Sequence, residues 1–95
     1  MYKITPHKAV VSDEGFSVEI LGRTGIRYTE GNKNLFIDSE VLAASSSHGL
    51  AMFTDSIQHW DPPHQNEMIE ENQKRKIVDN VCQACHFYGI DIQVI

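Results

Sequence analysis

Cys82-Gln-Ala-Cys85-His86 has the spacing that attaches a c-type haem, with two thioether-forming cysteines and an adjacent histidine as iron ligand. The same residues also read as packing. Both cysteines fall on the apolar face of a helical pattern, and free cysteine is among the residues most often buried; His86 falls on the opposite side, toward Arg75 and Asp79. A redox dithiol normally sits at a helix N-terminus, where the thiolate is stabilised, and this pair lies late in its helix. Packing is therefore the first reading, and a small haem or metal-binding redox protein using Cys82, Cys85 and His86 is the alternative. His59, Asp61 and His64 supply the two imidazoles and one carboxylate of non-haem iron oxygenases. Pro62 and Pro63 hold His64 only three residues from Asp61, and 95 residues do not build the surrounding barrel, so these read as exposed turn residues. Ser45 to His48 offers serine and histidine on a loop without an orienting frame. No Gly-x-Ser-x-Gly elbow, phosphate-cradling glycine loop or His-Glu-x-x-His occurs. We assign no catalytic residue, no metal ligand and no cofactor.

Recognition is the chemistry that remains. No Lys or Arg occurs from Asn34 to Gln73, a window that holds Asp38, Glu40, Asp55, Asp61, Glu67, Glu70 and Glu71. Basic residues sit in the first third and in Lys74-Arg75-Lys76, so one region of the surface should be acidic. A charge run of this kind often does no more than solvate a face. The net charge of -5 argues against nucleic acid as a partner. No apolar run approaches the roughly 18 residues of a membrane span, and the first residues lack the charged-then-apolar pattern of a signal peptide. Two cysteines three apart make no disulfide framework, which fits a reducing compartment; the expectation is a cytoplasmic protein with no membrane partner.

These side chains need a frame, and 95 residues with a 41% hydrophobic fraction suggest one domain with one modest core. Residues 2–5 and 8–12 read as short extended pieces, joined through a turn at Gly15 to a period-two strand with Phe16, Val18 and Ile20 on one face. Gly22, Gly25 and Gly31-Asn32 punctuate the next stretch and leave residues 26–29 and 35–37 as candidate strands. Residues 38–49 read as an exposed connection with a helical turn over 40–44, and residues 50–54 resume the sheet. Pro62 and Pro63 then stop any strand, since neither has a backbone N–H. Beyond them Ile77, Val81, Ala84 and Tyr88, flanked by Val78, Cys82 and Cys85, make a wide apolar stripe at helical period. Residues 67–76 read as its first two turns, overhanging into solvent, with Glu70 and Lys74 and Glu71 and Arg75 paired at i, i+4. Gly89 suits a left-handed helix end, and Ile90, Ile92 and Val94 alternate as a last strand. The fold class is α+β: an antiparallel β-sheet packed against one long C-terminal α-helix, ending in a strand.

From about Leu50 the order is an apolar strand, Ser56-Ile57-Gln58-His59-Trp60, an acid and prolines, a polar helix start with Glu70-Glu-Asn-Gln-Lys74, Ile77 in the helix core, and a final strand. This half of the chain resembles the immunity protein 74 family of bacterial polymorphic toxin systems, with Ile57…Trp60-x-Pro62 and the following helix carrying the likeness. At the helix start, where that pattern implies a Ser or Thr cap, this chain has Glu70. The resemblance implies a small cytoplasmic, non-enzymatic immunity protein that binds and neutralises a cognate toxin domain. Trp60, Asp61, His64, Glu67, Glu70 and Glu71 are the candidate contacts: an aromatic anchor, a turn stiffened by two prolines, and acids that would suit a basic nuclease.

Overall fold

The computed structural model describes residues 2–5, 9–21, 25–41 and 49–95, with Val41 described by its backbone alone. The strands are β1 (Tyr2–Ile4), β2 (Ala9–Ser12), β3 (Phe16–Ile20), β4 (Gly25–Glu30), β5 (Lys33–Val41), β6 (Gly49–Met52) and β7 (Asp91–Val94), and the helix is α1 (Glu71–Tyr88). The seven strands form one sheet in chain order, antiparallel from β1 to β6. Helix α1 packs against β1, β2 and β3 near one edge and against β7 at the other, so the sheet curls around it.

Side-chain alternation decides what faces the helix. Phe16 and Val18 of β3, Ile26 and Tyr28 of β4, Leu35 and Ile37 of β5, and Leu50 and Met52 of β6 turn inward and are buried. Arg27, Phe36, Asp38 and Glu40 stand on the outer face and are exposed. Ile77, Val81, Ala84 and Cys85 complete the core from α1, with Val78, Cys82 and Tyr88 half-buried beside them, as the helical stripe predicts. The turns behave likewise: Gly15 at φ +100° and Gly89 at φ +97° adopt the left-handed backbone their positions demand.

Three expectations are corrected. Residues 38–41 continue β5, where Glu40 pairs with Ala51, instead of opening an exposed connection with a helical turn. The inward series Leu35, Ile37, Ser39 keeps its period of two, but the small polar Ser39 hides it. The remainder of that connection, residues 42–48 with the Ser45–His48 tract, lies outside the described residues, as do Lys8 and Gly22. Next, β6 and β7 pair in parallel, Leu50 opposite Ile92, because α1 carries the chain from one to the other; a parallel pair needs such a crossover. Last, the helix begins at Glu71 and not at Glu67. Met68 instead forms an antiparallel bridge with His59, and Ile69 is drawn into the core.

Candidate functional site

Leaving β6, the chain makes one 3-10 turn (Thr54–Ser56) and then fourteen residues, 57–70, that reach the helix. Three apolar side chains fix this junction from within: Ile57, Trp60 and Ile69 are all buried. Backbone hydrogen bonds fix it from without. The Asp61 N–H donates to the Asn34 carbonyl of β5 at 2.7 Å, and the Ile69 N–H to the Gln58 carbonyl at 3.1 Å. Between them the His64 N–H donates to the Asp61 carbonyl and the Glu67 N–H to the His64 carbonyl, each at 3.0 Å. The segment around Pro62 and Pro63 is therefore a doubled-back finger whose two sides are tied together.

Trp60 is 3% exposed. Its indole stacks on Tyr28 with ring centroids 6.3 Å apart, and Tyr28 stacks in turn on Phe16 at 5.8 Å. Lys33 lies over the indole with Nζ 5.7 Å from the ring centroid, a cation–π distance. The indole thus supports the junction from beneath, and the aromatic surface it offers outward is small.

The same lysine changes the charge of the junction. Lys33 Nζ meets Glu67 Oε1 at 2.7 Å, and His64 Nδ1 meets Glu67 Oε2 at 3.0 Å. Lys33 first, then His64, holds the Glu67 carboxyl below its ordinary range. The gap in basic residues along the sequence does not carry over to space, because the β4–β5 hairpin delivers Lys33 to the acids. Glu70 and Glu71 also face solvent. Glu71 is exposed in the first helical turn, and Glu70 is the N-cap: its side chain meets the Gln73 N–H while its own N–H donates to Gln73 Oε1 at 3.3 Å. This reciprocal box occupies Glu70 in capping and stands where a Ser or Thr cap was implied. Asp61 and His64 are half-buried.

Two residues of this surface escape a reading of the sequence. Lys33 stands one position before the base-free window, and its place directly after the Gly31-Asn32 turn was the available signal. Met68 is 73% exposed although its neighbour Ile69 is buried, a strand-like alternation that a helical reading conceals.

The Cys82–His86 segment is arranged differently. Cys85 is 1% exposed, and burial first, then the neighbouring Cys82, pushes its thiol up to about 12. Cys82 is half-buried and also shifted up, by burial and by Asp79. Both are free thiols in environments that favour the protonated form, which is neither the nucleophile nor the metal ligand. His86 is exposed at the far end of α1, off the apolar stripe, and its Nδ1 lies 3.8 Å from Asp91 Oδ1. Among the described residues no three His, Cys, Asp or Glu side chains converge as a metal-binding set.

The chemistry that this arrangement offers is recognition by a fixed, mixed-charge surface. No helix among the described residues is long and apolar enough to cross a membrane. The family model described as Immunity protein 74 matches residues 17–95, which takes in the whole junction and α1. No curated protein and no solved structure matches the chain.

Proposed function

The chain belongs to the immunity protein 74 family, and on that premise we propose that it acts as one domain over residues 1–95, a non-enzymatic immunity protein that binds a cognate bacterial toxin in the cytoplasm and blocks it. The match over residues 17–95 carries this reading. The junction is the proposed contact surface. Its backbone is tied on both sides, so little conformational entropy is lost when a partner docks. Asp61, Glu70 and Glu71 supply negative charge, His64 and Glu67 a fixed polar rim, and Trp60 the support underneath. A toxin with a positive groove, such as a nuclease, complements these acids, which would raise the rate of encounter.

The test is co-expression with the product of the neighbouring toxin gene, followed by stopped-flow association of the purified pair. Protection of growth and a 1:1 or symmetric complex are expected, with an association rate that falls as salt is added. A Glu67/Glu70/Glu71 triple Ala variant should keep the fold, with a lower urea midpoint from the lost cap and the lost Lys33 pair, and associate more slowly. An unchanged rate without salt dependence would move the interface to the open sheet face. Absence of both complex and protection would refute the toxin-neutralising reading itself.

A further inference from the structure

Beside the junction, α1 and the two hairpin turns at the same end of the sheet enclose a cleft of about 380 Å³ lined by Glu14, Phe16, Glu30, Lys76 and Asn80. The two turns are tied to each other, the Gly31 N–H donating to the Gly15 carbonyl at 3.3 Å, so Glu14 and Glu30 are carried on one frame. A chain of hydrogen bonds runs in one direction along the wall. Asn80 Nδ2 donates to the Tyr28 hydroxyl at 3.0 Å, and that hydroxyl donates to Glu30 Oε1 at 2.7 Å. Tyr28 is fully buried, and its phenol is held protonated by burial first and then by Glu30, so it remains the donor. The consequence is an oriented set of acceptors. With Nδ2 turned to Tyr28, Asn80 keeps Oδ1 for another donor, Glu30 keeps Oε2, and among the described residues the Glu14 carboxylate has neither a hydrogen bond nor an ion pair.

We propose that this cleft receives the guanidinium group of an arginine on the partner toxin. Guanidinium presents five donors in a rigid planar fork and no acceptor, which complements a wall of fixed acceptors. A carboxylate or phosphate would meet Glu14 and Glu30 with like charge. Lys76 lines the cleft without an ion pair among the described residues, and its flexible stem lets the ammonium swing to solvent as the guanidinium enters. The cleft neighbours the junction, since Glu30 pairs across the hairpin with Lys33, which holds Glu67. The identity of the partner rests on the immunity reading, whereas the chemistry of the cleft is testable without a toxin.

The experiment titrates the isolated full chain with Nα-acetyl-L-arginine amide, read by backbone amide chemical shifts, against the uncharged isostere Nα-acetyl-L-citrulline amide. Saturable shifts at Glu14, Phe16, Glu30 and Asn80 are expected with arginine, at a roughly millimolar Kd given the size of the probe. Citrulline should give none. Glu30→Gln preserves an acceptor for Tyr28 but removes the charge, and should weaken the arginine probe about tenfold, as loss of a charge-assisted pair does. Glu40→Gln, on the exposed outer face of β5, should leave it unchanged. Shifts that do not saturate, an equal response to citrulline, or wild-type affinity in Glu30→Gln would overturn the proposal. Those outcomes leave toxin neutralisation standing, and a failure to bind toxin leaves a positive arginine titration standing.

Discussion

Trp60→Ala removes an indole that is 3% exposed and packed between Tyr28 and the Lys33 ammonium. An aromatic side chain buries about 150–250 Å² on folding, which at about 25 cal/mol per Å² corresponds to roughly 4–6 kcal/mol as an upper limit. Core truncations of Phe and Trp lose about 3–5 kcal/mol, so the two routes agree. A 95-residue domain has a total stability of about 5–14 kcal/mol, and the variant should therefore lose a large share of it and at least about 12 °C in Tm. Because Trp60 is the single tryptophan, urea unfolding has to be followed by far-UV circular dichroism and not by fluorescence. Trp60→Phe, which keeps a ring against Tyr28, should fall between the variant and the wild type, and Met68→Ala, at a 73% exposed position, should stay within about 0.5 kcal/mol. Loss of toxin protection in Trp60→Ala would then report unfolding, whereas loss in Met68→Ala would report contact. A cost below about 1 kcal/mol for Trp60→Ala would refute the reasoning, placing the indole outside the core and open to a partner.

Ser39 Oγ is buried without a hydrogen-bond partner among the described residues, so Ser39→Ala should leave the urea midpoint unchanged or raise it. A loss above about 1 kcal/mol would mean that the hydroxyl is satisfied. Cys85, pushed up to about 12, should resist iodoacetamide at neutral pH and label only as the protein unfolds, with Cys82 labelled first by mass spectrometry. Its folded value is raised, so the stability it contributes is complete below the ordinary thiol value of 9.0 and is lost as pH rises toward 12. Glu67 has the opposite sign. Its folded value is lowered by Lys33 and His64, so its contribution is present above the unfolded carboxylate value of about 4.3 and lost as pH falls through the folded one. The urea midpoints of Glu67→Gln and wild type should differ at pH 7 and converge as pH falls through that folded value; a constant difference would mean the ion pair is absent in solution.

Legibility in the sequence followed the range of the interaction responsible. The β2–β3 turn and the end of α1 are local, each set by a glycine in the left-handed conformation, and both stand where the sequence puts them. The apolar stripe of α1 is a pattern within one element, and Ile77, Val81, Ala84 and Cys85 are buried as it predicts. The helix start was not legible because residues 67–70 suit a helical turn or an extended strand equally. Burial of Ile69 and the bridge from Met68 to His59 decide between them, and both depend on distant partners. The candidate surface was half legible: the prolines marked the turn, but Lys33 reaches Glu67 across 34 positions of chain, which no local pattern records. Trp60 shows the same limit, since an indole at a chain break can point either way until Tyr28 is known to lie beneath it.

The parallel pairing of β6 with β7 also sets an order of events. From β1 to β5 each strand pairs with the next through a short connection, so these hairpins close small loops at small entropic cost and can form quickly. The β6–β7 pair joins Gly49 to Asp91 and is fastened by Thr54, whose N–H and hydroxyl both donate to the Ile95 carbonyl, at 3.0 and 2.8 Å. That pairing closes a far longer loop than any hairpin, so it is expected to form after them. The 3-10 turn that begins the junction is tied to β7 by those same two bonds, so the proposed toxin-binding finger is expected to share the fate of this long-range pair and not that of the hairpins.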